Sequence, residues 1–382
     1  MVETDIPAVP AKSARLAAYA CYFLGSLQLW LQPSVVADFI GRQRLSDADA
    51  GLLATVEMVV VSATMLVAPR FSLAVSLRAL AVAGSILAAL GSIASIPLSN
   101  WFVLAGVRTF AAVGFGLLLL CANVAIGRMR DAQATFGKMY MVSLLGASVT
   151  LAVLPLVQTR LPYAAAFVLV PVAAGCLGIL TLRTGTGNAG AGGPDRPRTV
   201  GKAIGAHILA LAMALSLLAV GFFGFWAFLV RYAEKSGVDA SGASFVSSLS
   251  ILAAMAGSML SAALTKALGF RFSATLAASA IGLSVMALMT GVSPIAFYVA
   301  CCLALGCFYL LFPLVLGAAA ELDATGVGPA YVSAIALLMG AFGPYLFSVI
   351  ASSAGIGGAM TAVALCTAGS IGLFQVVASK LA

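Results

Sequence analysis

Apolar runs long enough to cross a bilayer recur along the whole chain, separated by short polar or Gly/Pro-containing segments. Hydrocarbon offers no hydrogen-bond partners, so such runs must satisfy their backbone groups internally, and a helix of about 20 residues does this. The sequence therefore predicts an all-α integral membrane protein with twelve transmembrane helices. The predicted spans are 15–39, 48–69, 76–97, 101–126, 136–157, 162–182, 203–230, 243–265, 272–291, 295–318, 329–351 and 356–379.

The composition excludes several other classes. Hydrophobic residues make up 62% of the 382 residues and charged residues only 8%, which is too little charge for a soluble surface. The formal charge of +8 does not indicate nucleic-acid binding, because the basic residues are scattered through short loops. All seven cysteines lie in apolar runs, which argues against a disulfide framework, and no CxxC-type metal spacing occurs. We expect no cleaved targeting segment and no cofactor.

The distribution of Lys and Arg predicts the orientation. With a cytoplasmic N-terminus, fourteen of the twenty basic residues lie inside, five lie outside and Arg108 lies within a span. The positive-inside rule then places both termini in the cytoplasm. The polar stretch from Thr184 to Lys202 predicts a flexible linker between six-helix bundles at 1–183 and 203–382. Short loops favour a bacterial inner membrane, and we expect a monomer.

The two halves echo each other. YFLGSLQLW (22–30) leads to LSDADAGLLATVEM (45–58), and VGFFGFW (220–226) leads to VDASGASFVSSLS (238–250). Each pair combines a helix containing Gly and Trp, an Asp-Ala turn and a helix rich in small residues. Two six-helix pseudo-repeats joined by a cytoplasmic linker resemble the major facilitator superfamily. The segment RTFAAVGFG (108–116) is similar to its fourth-helix signature, with Ala112 in place of the usual first glycine.

Other motifs of this superfamily are altered. In the loop VAPRFSLAVSLR (67–78), Pro69 stands where the superfamily has an Asp. The fifth-helix Gly-Pro pattern typical of drug-proton antiporters is absent, although Gly340, Gly343 and Pro344 form a related pattern in the eleventh span. The resemblance thus implies a secondary transporter working by alternating access, without naming its substrate.

Arg108 and Glu57 are charged residues within apolar spans, where a mid-span charge costs roughly 3 kcal/mol on insertion scales. Each lies eight residues beyond a polar residue at the outer end of its span, which is about 12 Å at the helical rise. Equal depth makes an ion pair feasible. The pair can be purely structural, or Arg108 can attract an anionic substrate while Glu57 exchanges a proton. By resemblance, the fourth-helix Arg is linked to proton coupling.

Further candidates follow from helix faces and from the resemblance. Gln28 and Gln32 share one face of the first span at positions i and i+4. Asp38, near the outer end of that span, is a candidate for proton coupling, although contact with water explains it equally well. The resemblance implies a cavity lined by the first, fourth, seventh and tenth helices. Its candidate substrate-binding residues are Gln28, Gln32, Arg108, Phe222, Trp226 and Tyr309.

These observations leave three transport hypotheses open. The first is proton-coupled movement of a small organic anion, and the second is proton-driven export of amphipathic or cationic compounds. The third is copper uptake through Met255, Met259 and the cysteines at 301, 302 and 307, although these side chains also suit packing. No paired-carboxylate or metalloprotease motif indicates an enzyme. Partners are therefore a small molecule, protons and lipid.

Overall fold

The computed structural model describes residues 11–43, 47–70, 75–129, 131–161, 164–184, 205–226, 233, 236–238, 240–290, 292–323 and 325–381. Every regular element within these residues is helical. The predicted linker lies outside them except for Thr184. The helices are α1 (Ala11–Gln43), α2 (Asp47–Val67, followed by a 3-10 turn Ala68–Arg70), α3 (Leu77–Ser95), α4 (Trp101–Gly127), α5 (Ala132–Gln158), α6 (Ala165–Thr184), α7 (Ala206–Trp226), α8 (Ala240–Met289), α9 (Pro294–Leu322), α10 (Gly328–Ala341) and α11 (Gly343–Leu381).

Two of these helices are broken by glycine. Gly269 in α8 has φ 76° and ψ 163°, and Gly355 in α11 has φ 67° and ψ −171°. A positive φ of this kind is accessible to glycine and strained for other residues. Gly269 lies between the predicted eighth and ninth spans, and Gly355 between the eleventh and twelfth. Each of these two long helices therefore has two helical parts.

Most of the described helices have the length and apolar composition of membrane-spanning helices. Eight helices in the described part of the chain are long and apolar enough to cross a membrane, and Leu52–Val67 and Ala165–Gly175 are shorter apolar helices. The chain is therefore an integral membrane protein, as the sequence predicted.

The chain divides into two compact units. Unit 1 comprises Met1–Met129, Val149–Gly201 and Ala324–Val327, and unit 2 comprises Arg130–Ser148, Lys202–Asp323 and Gly328–Ala382. Helix α5 is thus shared, with its first part in unit 2 and its second part in unit 1. The bundle boundaries predicted at 183 and 203 stay a prediction.

Helix α4 is central to unit 1. Its glycines let it approach neighbouring helices closely: a Cβ on Gly114 would lie 2.5 Å from the backbone nitrogen of Ala88 in α3, and one on Gly116 would lie 2.7 Å from the carbonyl oxygen of Val61 in α2. Small residues serve this purpose widely in membrane helices. The fourth-helix motif therefore has a packing role, which fixes α4 against α2 and α3.

Gly114→Ala is expected to destabilise the protein, because its Cβ would collide with the backbone of α3. Overpacking of this kind costs about 1–3 kcal/mol. The measurement is the thermal unfolding of detergent-purified protein. Gly106→Ala is the matched control, since a Cβ at Gly106 meets nothing within 4 Å on the same helix. Equal unfolding temperatures for the two variants would contradict this assignment.

Unit 2 also depends on small residues. A Cβ on Gly257 in α8 would collide with the Gly306 carbonyl in α9, and one on Gly137 in α5 would collide with the Ser258 carbonyl. Nearby, Gln133 Nε2 donates hydrogen bonds to Ser261 Oγ at 3.2 Å and to Thr265 Oγ1 at 2.7 Å. These glycines therefore allow close packing of the helices in unit 2.

Candidate functional site

The helix that carries Arg108 starts at a well-defined cap. Asn100 Oδ1 accepts hydrogen bonds from the backbone N–H groups of Phe102 at 3.0 Å and Val103 at 3.2 Å. An Asn N-cap satisfies donors that the first turn would otherwise leave unpaired. From this start, two turns of helix bring Arg108 inside unit 1, where its side chain is buried.

Arg108 and Glu57 form the ion pair that equal depth predicted. Arg108 Nε lies 2.5 Å from Glu57 Oε1, and Arg108 Nη2 lies 2.9 Å from Glu57 Oε2. Both residues are only 1% exposed. The guanidinium thus binds the carboxylate through two parallel hydrogen bonds. This bidentate geometry makes Arg–carboxylate interactions strong. Each buried charge is neutralised by the other.

Gln28 of α1 also hydrogen-bonds the Glu57 carboxylate. Its Nε2 donates a hydrogen bond of 2.5 Å to Glu57 Oε2, the oxygen that also accepts from Arg108 Nη2. Gln28 is 3% exposed. The sequence places this residue in a substrate cavity by resemblance, and the structure places its amide on Glu57.

An aromatic ring contacts the other side of this cluster. The Arg108 guanidinium carbon lies 5.5 Å from the ring centroid of Phe167, which belongs to α6 and is buried. A desolvated cation over an aromatic face gains favourable electrostatic energy. The cluster of Gln28, Glu57, Arg108 and Phe167, called the charge cluster below, therefore joins α1, α2, α4 and α6.

Five predicted site residues remain besides Gln28, Glu57 and Arg108. The side chains of Gln32, Asp38 and Trp226 lie outside the described residues. Phe222 and Tyr309 belong to unit 2, where Phe222 stacks on Phe308 with ring centroids 4.5 Å apart. Their predicted roles in substrate binding stay predictions.

Phe222 and Tyr309 belong to an aromatic cluster in unit 2 that also contains Tyr140, Phe308 and Phe312. Tyr309 and Phe312 stack at an interplanar angle of 29°, and Tyr140 of α5 lies 5.4 Å from Phe312 and 5.8 Å from Tyr309. Phe222 and Phe308 are buried, whereas Tyr309 and Phe312 are half-buried. The i, i+3 and i+4 spacing of Phe308, Phe312 and their neighbours could have revealed this aromatic cluster.

Solved structures resemble almost the whole chain. FucP, a major facilitator superfamily transporter solved in the outward conformation, is 15% identical, with 96% of this chain and 98% of that chain covered and a TM-score of 0.72. The human organic anion transporter MFSD10 is 12% identical, with 96% and 98% covered and a TM-score of 0.73. The chain has the major facilitator superfamily fold.

A third structure of this major facilitator fold is the proton:xylose symporter XylE bound to 6-bromo-6-deoxy-D-glucose. It is 12% identical, with 96% of this chain and 94% of that chain covered and a TM-score of 0.70. No protein-family model and no curated protein matches the chain.

The soft-metal candidates Met255, Met259, Cys301, Cys302 and Cys307 lie on α8 and α9. Among the described side chains, no group of three or more His, Cys, Asp or Glu could hold a metal ion. Cys301 is buried, and Cys302 and Cys307 line an apolar groove of about 450 Å³ between α8 and α9. Met259 is 44% exposed. The three cysteines are thus buried or line an apolar groove, as packing residues do.

Proposed function

We propose that the chain is a secondary transporter that moves a small organic anion together with a proton by alternating access. In this proposal the chain has twelve spans in two pseudo-repeats: α8 and α11 are each divided, at Gly269 and Gly355, and α10 together with the first part of α11 forms one span. The distribution of Lys and Arg supports cytoplasmic termini. The observation that carries the proposal is the fully buried, bidentate pair of Glu57 and Arg108. FucP is described as a fucose:proton symporter and MFSD10 as an organic anion transporter, which lends support to this class.

The geometry supports exchange of partners as the coupling step. While Glu57 is ionised, it occupies the Nε/Nη2 edge of the Arg108 guanidinium, and an anion must compete with it for these donors. When a proton binds the Glu57 carboxylate, the group becomes neutral and its hold on the cation weakens. Arg108 then has an uncompensated charge in a low-dielectric site, which an incoming carboxylate can neutralise. Anion and proton therefore favour each other's binding.

This exchange has an electrical consequence. The empty site contains one negative and one positive charge, from Glu57 and Arg108. The loaded site adds one proton and one monovalent anion, so its net charge does not change. We therefore expect carriage of a monovalent anion with one proton to be electroneutral, whereas proton symport of a neutral solute would carry charge across the membrane.

The test is uptake of radiolabelled monocarboxylates into proteoliposomes under separately imposed gradients. An alkaline interior should drive accumulation, and a potassium–valinomycin potential at equal pH on both sides should not. Liposomes without protein correct for diffusion of the undissociated acid. Uptake driven by the potential, or no selectivity for anions over neutral solutes, would contradict the proposal.

A second candidate is proton-driven export of amphipathic or cationic compounds. It is supported by the aromatic cluster of unit 2, because stacked rings suit lipophilic or cationic ligands. The same proteoliposomes distinguish it: lipophilic cations would be transported and carboxylates would not, and proton exchange for a monovalent cation would also be electroneutral.

A further inference from the structure

Within the described part of the chain, the Gln28 side chain contacts the Glu57 carboxylate and does not line an open cavity at this point. Its amide nitrogen lies 2.5 Å from Glu57 Oε2, and its side chain is almost fully buried. We infer that Gln28 is the positioning residue for proton binding at Glu57: it hydrogen-bonds the carboxylate in both of its protonation states and so links α1 to the coupling step. This inference rests on the proposed function, in which Glu57 binds the coupled proton.

The chemistry of the amide explains why a glutamine suits this position. An ionised carboxylate only accepts hydrogen bonds, and the Gln28 NH₂ group supplies a donor. A protonated carboxyl group carries an O–H donor and needs an acceptor. A half-turn of the Gln28 amide brings its carbonyl oxygen to that position. A carboxamide can therefore satisfy both states without adding a charge to the cluster.

Packing keeps the Gln28 amide in place while it turns. Leu24, Leu27 and Leu31 around it on α1 are at most 1% exposed, and a Cβ on Gly25 would lie 2.9 Å from Leu119 Cγ of α4. Helix α1 is thus held tightly against α4. Rotation of the amide exchanges donor for acceptor and needs no movement of the helix.

Arg108 is the charged group that contacts Glu57 from the neighbouring helices α1 and α4. On α1, the other described titratable side chains lie at least six residues from Gln28, and on α4 at least thirteen residues from Arg108. These spacings are at least about 9 Å along the helix axis. The side chains are Arg15, Tyr19, Cys21 and Tyr22 on α1 and Cys121 on α4. Among the described residues, Arg108 and Gln28 hydrogen-bond the carboxylate.

The test is infrared titration of the purified protein, which follows the C=O band of a protonated carboxyl group. The band that Glu57→Gln removes belongs to Glu57. The amide's hydrogen bond to the charged carboxylate is stronger than its bond to the neutral acid, so Gln28→Met, close to isosteric but without a donor, should move the appearance of this band upward by about one pH unit, a tenfold change in proton affinity. Gln28→Glu should move it further, because two carboxylates would then share one arginine.

Gln158→Met, at the end of α5, is the matched control and should leave the titration unchanged. A band that titrates identically in the native protein, Gln28→Met and Gln28→Glu would overturn the inference while leaving the proposed function intact. A native protein that shows no titrating Glu57 band would overturn proton binding at Glu57, and the inference with it. A Gln28 that served only packing would alter the unfolding temperature and not the titration.

Discussion

Arg108→Ala is expected to abolish carboxylate uptake and to destabilise the protein strongly. The substitution removes the guanidinium that would bind the anion, and it leaves the buried Glu57 carboxylate without its counter-charge. Breaking one side of a buried ion pair typically costs about 3–5 kcal/mol. Uptake into proteoliposomes measures the first effect, and thermal unfolding in detergent, with and without carboxylate, measures the second.

Two variants make this result interpretable. Arg108→Lys keeps the charge without the planar fork and should retain partial binding. Arg271→Ala removes an exposed arginine that hydrogen-bonds Gln375, and it should leave uptake unchanged. Unaltered uptake in Arg108→Ala would reduce the ion pair to a packing role. Stabilisation by lipophilic cations that survives in Arg108→Ala would favour the exporter hypothesis.

Glu57→Gln is expected to separate anion movement from proton movement. The amide imitates the protonated carboxyl group, so Arg108 carries an uncompensated charge that an anion can neutralise. Exchange of internal for external anion should persist, and accumulation driven by a pH gradient should be lost. The measurements are counterflow and gradient-driven uptake in the same proteoliposomes.

Glu321→Gln is the matched control, because Glu321 lies exposed at the end of α9. It should leave both activities as in the native protein. Loss of exchange as well as accumulation in Glu57→Gln would indicate a structural salt bridge. Retention of gradient-driven accumulation would place the coupled proton on another group.

The central contact of the site could be proposed from the sequence because equal depth makes it feasible. In a bilayer, the helical rise converts residue spacing into distance from the surface. Two isolated opposite charges at equal depth can therefore form an ion pair, and Glu57 and Arg108 do so. The same reasoning applied to Gln28, eleven residues before the predicted end of its span, gives about 16 Å and could have placed it near the pair.

Other features depend on which helices are neighbours, and a single sequence does not reveal this. The position of Phe167 over Arg108 requires α6 beside α4, and the contact of Tyr140 with Phe312 requires α5 beside α9. The division of α5 between two units also has no sequence signal, because the helix is apolar and continuous through Ser148 and Val149. Fold resemblance supplies helix order and does not supply these contacts.

The ion pair also bears on how the chain is assembled during synthesis. Glu57 lies in α2, and its partner emerges from the ribosome fifty-one residues later on the long, apolar α4. Until α4 arrives, α2 holds a carboxylate whose burial in hydrocarbon is costly. Stable integration of α2 should therefore wait for α4, so that these helices enter the lipid phase together rather than one at a time.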